Sequence, residues 1–239
     1  MKNERLTIVI PVYNEEKYIA LIVERVLAAD TKGLEKEIII IDDGSKDRSP
    51  EIIKELASKH GNIRYKLNTV NHGKGASLQN GFEMASGDII LIQDADLEYS
   101  PEEYPELLAP ILDGKADVVY GSRLLAKVHR VLYYRHYIGN KLITMLSNFF
   151  TNINLTDMET CYKVFKRKII EKHRFTSERF GFEVEFTAVV AHLGQRIYEV
   201  PITYNGRTYE EGKKIGFRDA VEACFLILWT NLFMKIYNK

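Results

Sequence analysis

Cysteine is scarce in this chain of 239 residues: the two thiols, Cys161 and Cys224, lie too far apart in sequence to make a metal knuckle or a redox pair. A disulfide framework is excluded, and the usage fits a reducing compartment in which both pack as small apolar side chains. Net charge is missing too, since Lys and Arg number 33 and Asp and Glu also number 33. A nucleic-acid binder carries surplus Lys and Arg, and a disordered chain couples low hydrophobicity to high net charge, so neither class fits. Long apolar runs are lacking. The strongest, Ala223 to Met234, already contains Thr230 and Asn231 and falls short of the ~20 apolar residues that cross a bilayer. Nothing at the start reads as a basic, apolar leader, so neither a signal nor a transmembrane helix is expected.

Two glycine signatures are also absent. A dinucleotide-binding fingerprint needs glycines after the first strand, where Pro11-Val12-Tyr13-Asn14-Glu15-Glu16 stands, which argues against a dehydrogenase. Gly73-Lys74 does not complete a phosphate-cradling P-loop, because Asn68 and Gly75 occupy positions that need Gly and Ser or Thr.

What is present is alternation. Leu6 to Ile10, Glu37 to Ile41, Ile63 to Leu67, Ile89 to Gln93 and Asp117 to Tyr120 are short β-branched runs that predict strands. Between them Glu15 to Ala29, Arg48 to Lys59, Lys74 to Ala85 and Glu102 to Asp113 repeat apolar residues at helical spacing. Gly33, Gly61, Gly87 and Gly114 follow the helices, where a left-handed residue ends a last turn. The pattern is that of an α/β domain, a mostly parallel Rossmann-like sheet with helices on both faces. Beyond Gly121 an aromatic, basic stretch from Lys127 to Phe150 predicts one or two amphipathic helices. A strand near Cys161 to Phe165, a helix from Phe182 to Leu193, a strand from Arg196 to Pro201 and a helix from Phe217 to Tyr237 follow. No linker divides the chain, so one domain is expected over residues 1–239.

Ligands of open α/β sheets bind beyond the carboxyl ends of the strands. There the fully apolar fourth strand runs into Asp94-Ala95-Asp96, with Glu98 two residues on. Clustered hard oxygens suit Mg²⁺ or Mn²⁺ held together with substrate phosphates; a solvated acidic turn before a helix is the plainer alternative. Three carboxylates at a ligand-binding edge repel one another unless a cation joins them, which favours the first reading. Asp42-Asp43 after the second strand has two readings, hydrogen-bonding to a ribose or nucleobase, or an Asx turn. Gly73-Lys74-Gly75 opens a helix where phosphate could meet backbone N–H groups and an ammonium, or is merely a glycine-rich connection.

Taken in order, Val9-Ile10-Pro11-Val12-Tyr13-Asn14-Glu15-Glu16, Ile41-Asp42-Asp43-Gly44-Ser45, His72-Gly73-Lys74-Gly75 and Asp94-Ala95-Asp96 resemble family 2 glycosyltransferases of the GT-A fold. Gly121-Ser122-Arg123, the segment from Leu155 to Lys163, Glu199-Val200-Pro201 and the segment from Arg207 to Lys213 narrow the resemblance. They are similar to dolichyl-phosphate mannosyltransferases and bacterial polyprenyl-phosphate glycosyltransferases, and the likeness runs from about Leu6 to Ala220.

The resemblance implies an inverting, metal-dependent transfer of a mannose- or glucose-type sugar from a GDP- or UDP-linked donor to a polyprenyl or dolichyl phosphate. Residues 1–122 would bind the nucleotide sugar; residues 123–239 would face the acceptor and end in an amphipathic helix. Pro11, Tyr13, Glu15, Ile41, Asp42, Asp43 and Lys74 would contact the donor, with Asp94, Ala95 and Asp96 on the diphosphate. Asp94, Asp96 and Glu98 would hold Mg²⁺ or Mn²⁺, although family members often carry Gln where Glu98 stands. Arg123, Arg207 and Lys213 would close over the phosphates, with Arg207 and Lys213 on a glycine-flanked loop.

Asp157 matches a position where other family members place a carboxylate near the acceptor, so it is the candidate base; a capping role is the alternative. Arg130 and Arg135 are candidate acceptor-phosphate contacts, on a surface suited to a membrane interface. A protein that is soluble or peripheral on the cytoplasmic face of a membrane is expected. Two other classes stay open: a transferase of the same fold acting on a soluble or glycan hydroxyl with Asp157 as base, and a non-catalytic sugar-nucleotide or membrane-surface binding module.

Overall fold

Alternation of buried side chains builds one sheet, seen in a computed structural model that describes residues 4–234 other than 126, 132, 180, 209 and 212–216. The strands are β1 (Arg5–Val12), β2 (Glu35–Asp42), β3 (Ile63–Leu67), β4 (Ile89–Ile92), β5 (Val118–Ser122), β6 (Lys163–Lys166) and β7 (Ile197–Pro201). They lie in the order β3-β2-β1-β4-β6-β5-β7. Every pairing is parallel except those of β6, which runs antiparallel between β4 and β5. The carboxyl ends of β1, β2, β4, β5 and β7 therefore share one edge, and the segment leading into β6 enters from that same edge.

Side chains one apart on a strand point to opposite faces, and the core divides accordingly. Leu6, Ile8 and Ile10 of β1 pack against α1 (Ile19–Ala28), α2 (Ser49–Lys59) and α4 (Tyr104–Leu112). Ile90, Ile92, Val118 and Tyr120 face α3 (Lys74–Met84), α5 (Tyr134–Thr151), α7 (Phe182–His192) and α8 (Phe217–Leu232). α6 (Lys168–Lys172) is a short turn of helix after β6. Central strands buried on both faces need apolar residues at every position, and β4 reads Ile-Ile-Leu-Ile for that reason.

Four expectations are corrected. The first helix begins at Ile19 and not at Glu15, because the N–H groups of Asn14, Glu15 and Glu16 donate to Ser45, Ser49 and Asp47 across the gap to the next loop. From Lys127 to Tyr133 the described residues are not helical; His129 bridges to Tyr204, and a single helix starts at Tyr134. Gly33 and Gly114 do adopt positive φ, of 84° and 71°, but Gly61 and Gly87 do not. A Cβ on Gly87 would lie 2.7 Å from the Arg5 carbonyl, so close packing explains that glycine.

Candidate active site

The acidic segment after β4 is held from below. Gln93 is buried, and its side-chain Oε1 accepts hydrogen bonds from the hydroxyls of Tyr104 (2.8 Å) and Tyr162 (2.7 Å), two wholly buried tyrosines. That anchor fixes where Asp94, Ala95 and Asp96 emerge. The Lys74 ammonium reaches Asp94 at 2.9 Å, donates to the Cys161 sulfur at 2.9 Å and lies 3.3 Å from Glu183. Burial pushes the Asp94 carboxyl up, but Lys74, the Cys161 thiol and Lys163 together outweigh it and hold Asp94 below its ordinary value.

Asp96 and Glu98 face the other way, around Arg207. Its guanidinium lies 2.6 Å from Asp96, 3.3 Å from Glu15 and 3.4 Å from Glu98, and its backbone N–H donates to Glu98 at 2.8 Å. Tyr204 adds a hydroxyl donor to Glu98 at 2.9 Å. Burial, with Asp94 and Glu98 nearby, pushes the Asp96 carboxyl up to about 7 against the pull of Arg207. The three carboxylates expected to converge on one ion thus divide between two cations of the chain. Among the described residues no three His, Cys, Asp or Glu side chains are arranged to hold a metal.

The neighbouring loops interlock. Asn14 accepts from the Lys46 N–H and Glu16 from the Arg48 N–H, which fixes the turn bearing Tyr13 and Glu15 beside the end of β2. Asp42 accepts from the N–H groups of Gly44 and Ser45 in an Asx turn, and one of its oxygens is buried with no partner. Asp43 accepts from His72 and Gly73 N–H and from Asn68. Pro11 is half-buried, Ile41 is wholly buried and Ala95 is 4% exposed.

The start of α3 does not form an open phosphate cradle. Its Gly75 and Ala76 N–H groups donate to the carbonyls of Arg179 and Glu178. A Cβ on Gly75 would sit 2.0 Å from the Ser177 carbonyl, so the glycine there serves close approach of the 177–179 loop. Of the two readings of this turn, only the ammonium of Lys74 points toward the acidic segment.

Just beyond β5, Arg123 and Asp157 form a two-pronged pair, with both N–O distances 2.7 Å, and the Arg123 N–H adds a third bond at 3.0 Å. Asn140 of α5 donates to the same carboxylate at 2.9 Å. Asp157 is wholly buried; burial alone would push its carboxyl pKa up, yet Arg123 and these donors together prevail and hold it below its ordinary value. Arg123 also sits over the Tyr204 ring, 5.2 Å from its centre.

Arg130 pairs with Glu211 at 2.8 Å, and Arg135 is exposed on the first turn of α5. Lys213 lies outside the described residues. Glu159 and Glu183 each keep a buried oxygen without a hydrogen-bond partner. Burial and then Glu183 push the Glu159 carboxyl up to about 7.

Sequence reading missed Tyr204, Glu183 and Asn140. Tyr204 follows β7 at the same edge that yielded every other candidate, and that position was the available signal; the other two sit on helices and carry none.

Beside this edge, α5 and α8 pack together and leave apolar stripes facing outward. On α5 the stripe includes Tyr134 (74% exposed), Leu142 (56%) and Phe149 (79%); on α8 it includes Phe225 (63%), Trp229 (51%) and Leu232 (58%). Among the described residues no helix is long and apolar enough to cross a membrane.

Comparison with known proteins gives one direction. The model of the family described as Glycosyl transferase family 2 matches residues 7–174. The chain is 32% identical over 211 residues to an undecaprenyl-phosphate 4-deoxy-4-formamido-L-arabinose transferase of Aeromonas hydrophila, covering 87% of this chain and 62% of the relative. It is 29% identical over 215 residues to a dolichol-phosphate mannosyltransferase of Pyrococcus furiosus, covering 89% and 60%. It thus spans less than two thirds of either relative. Among solved structures, glucosyl-3-phosphoglycerate synthase of Mycobacterium tuberculosis, in complex with Mn²⁺, uridine diphosphate and phosphoglyceric acid, superposes with a TM-score of 0.74 at 20% identity. That match covers 97% of this chain and 80% of the other, and it establishes the GT-A fold.

Proposed function

The chain belongs to glycosyl transferase family 2, and from that premise we propose that it transfers a mannose- or glucose-type sugar, with inversion, from a GDP- or UDP-linked donor to a polyprenyl phosphate. The observation that carries the reading is the surplus of carboxylates at the sheet's carboxyl edge. Glu15, Asp96 and Glu98 share one arginine, and Asp94 and Glu183 share one lysine. Hard oxygen donors suit Mg²⁺ or Mn²⁺, and Asp94, Asp96 and Glu98 would hold it only once turned from Lys74 and Arg207 toward one point. When bound, such a cation neutralises charge developing on a diphosphate leaving group. Two similar relatives are named for polyprenyl-phosphate acceptors, which supports that acceptor class.

The chain's own residues supply the rest. Residues 1–122 bind the donor: Tyr13 flanks the base, and the unpartnered oxygen of Asp42 is free to accept a nucleobase or ribose donor. Residues 123–239 face the acceptor, with Arg123 aimed at its phosphate and Arg130 and Arg135 toward the surface. A phosphate oxygen is already anionic near neutral pH and attacks without a strong base. Asp157 accordingly acts as a positioning residue, because its oxygens are committed to Arg123 and Asn140. The outward stripes of α5 and α8, with Arg135 alongside, suit the interface of a membrane that holds the lipid.

A thermal-shift panel of GDP- and UDP-sugars, each with and without Mn²⁺, tests the donor half, because a ligand that binds only the folded state raises its melting temperature. A metal-dependent rise with one nucleotide, lost in Asp96→Ala, is expected. No rise with any nucleotide overturns the reading in favour of a binding module of another kind.

A further inference from the structure

Asp157, Glu37 and Glu185 show how this chain treats a buried carboxylate: both oxygens of each accept hydrogen bonds. Glu159 and Glu183 differ, since each keeps one buried oxygen that no donor reaches. An acceptor left unmet inside a protein carries the full cost of its lost hydration. The nearby ammonium groups do not meet it. Lys74 reaches Glu183 through the other oxygen, at 3.3 Å, and the wholly buried Lys163 donates to the carbonyls of Met158 and Thr160, with its ammonium 4.9 Å from the centre of the Tyr120 ring.

The chain itself fixes where the two glutamates stand. Asp157 is paired with Arg123, and Cys161 accepts from Lys74, which also holds Asp94. Glu159 is the middle residue of that five-residue segment. Four residue steps span at most about 14 Å. Glu159 therefore lies between the end of the donor site that would take the diphosphate and the arginine that would meet the acceptor phosphate, with Glu183 beside Lys74. A sugar passing from one to the other has to occupy that interval. Glu183 is carried rigidly, on the first turn of α7, where Phe182 and Phe186 pack against Phe175 with ring centres 5.3 and 5.8 Å away.

We infer that Glu159 and Glu183 read the donor sugar, accepting hydrogen bonds from two of its ring hydroxyls and turning away sugars that carry a carboxylate. An ionised carboxylate accepts and never donates, so the partner these oxygens lack is a donor such as a hydroxyl. The two glutamates already repel: burial and then Glu183 push the Glu159 carboxyl up to about 7, and a uronic acid would add a third negative group. The inference rests on the proposed donor site and adds what selects the sugar, a neutral ring with free hydroxyls.

The test is titration calorimetry of the full chain with Mn²⁺, using UDP, UDP-glucose and UDP-glucuronic acid beside GDP, GDP-mannose and GDP-mannuronic acid. In the series whose base is accepted, the neutral nucleotide sugar should bind at least about tenfold more tightly than its uronic acid. Glu159→Gln and Glu183→Gln should each weaken the neutral nucleotide sugar about tenfold while moving the bare diphosphate less than about threefold, and Glu183→Gln should narrow the rejection of the uronic acid. Monodeoxy analogues of the accepted nucleotide sugar probe the same contacts with no substitution, and at two ring positions should bind the unaltered protein about tenfold or more weakly.

Losses that fall equally on diphosphate and nucleotide sugar, or affinities unchanged in both variants, overturn the sugar-reading role and leave the donor site standing. Where far-UV circular dichroism finds a variant unfolded, the analogues decide: deoxygenation without effect at every ring position overturns the role. Absence of binding by any nucleotide to the unaltered protein overturns the donor site itself.

Discussion

Two charge clusters face each other across the site, and they are built on different ratios. Around Asp157 one carboxylate meets one arginine in a forked pair, with Asn140 satisfying a remaining lone pair. Around Arg207 three carboxylates meet one arginine at 2.6, 3.3 and 3.4 Å. A matched, buried pair is a fixture, since its desolvation is offset by its own partner and any exchange leaves a bare charge inside. A mismatched cluster is not at rest: its surplus charge has to be met by a proton or a cation. The pKa of Asp96, pushed up to about 7 by burial and by Asp94 and Glu98, is the proton answer, and a divalent ion is the other. The Asp157 cluster is thus a matched scaffold and the Arg207 cluster an unmatched one.

The sharpest way to break that contrast is to remove one carboxylate from each cluster. Asp157→Ala strands a buried guanidinium and should cost about 3–5 kcal/mol of stability in urea titrations, the usual penalty for halving a buried pair. Asp96→Asn, which keeps the shape and relieves repulsion, should change stability by less than about 1 kcal/mol without metal while abolishing the rise in melting temperature with Mn²⁺. Equal costs for both substitutions would erase the distinction.

A pH series sharpens it further. Glu159 and Asp96 both hold protons more tightly when folded than their ordinary values of 4.5 and 3.8. The native state therefore binds more protons at these two groups than the unfolded chain does, and stability falls as pH rises from about 5 toward about 7, above the interval in which carboxylates held low, such as Asp117 and Asp157, take up protons. Urea midpoints should decline over that range, and Glu159→Gln should flatten the decline. A midpoint that rises through the same interval contradicts the surplus.

The smallest stability effect belongs to the outward stripes. Leu142→Ser and Phe225→Ser should alter stability by no more than about 0.5 kcal/mol, because neither side chain is buried. Sedimentation with anionic vesicles should nevertheless fall clearly in the double variant. Unchanged sedimentation removes the membrane-facing role of α5 and α8.

Legibility in the sequence followed the same division. The first half of the chain repeats strand, turn and helix with local signals at each step, so β1 to β4 and the acidic segment after β4 could be placed from patterning alone. The second half depends on distant pairings. Nothing near Lys163 to Lys166 announces that this strand inserts between β4 and β5 in the opposite direction, since its partners lie dozens of residues away. Arg207 and Asp157 could be singled out through resemblance. That one is bound by Glu15, 192 residues away, and the other by Arg123, 34 residues away, only the fold reveals. Gly73 and Gly75 misled for a related reason: the same residues that permit an open phosphate cradle also permit a loop to press against the helix start.

The most direct measurement is transfer itself. Vesicles carrying polyprenyl phosphate, incubated with the protein, Mn²⁺ and radiolabelled UDP- or GDP-sugars, should accumulate label in the organic phase as a lipid-linked sugar with one of the nucleotides. Label that stays wholly in the water phase, or that moves to soluble hydroxyl acceptors instead, contradicts the account.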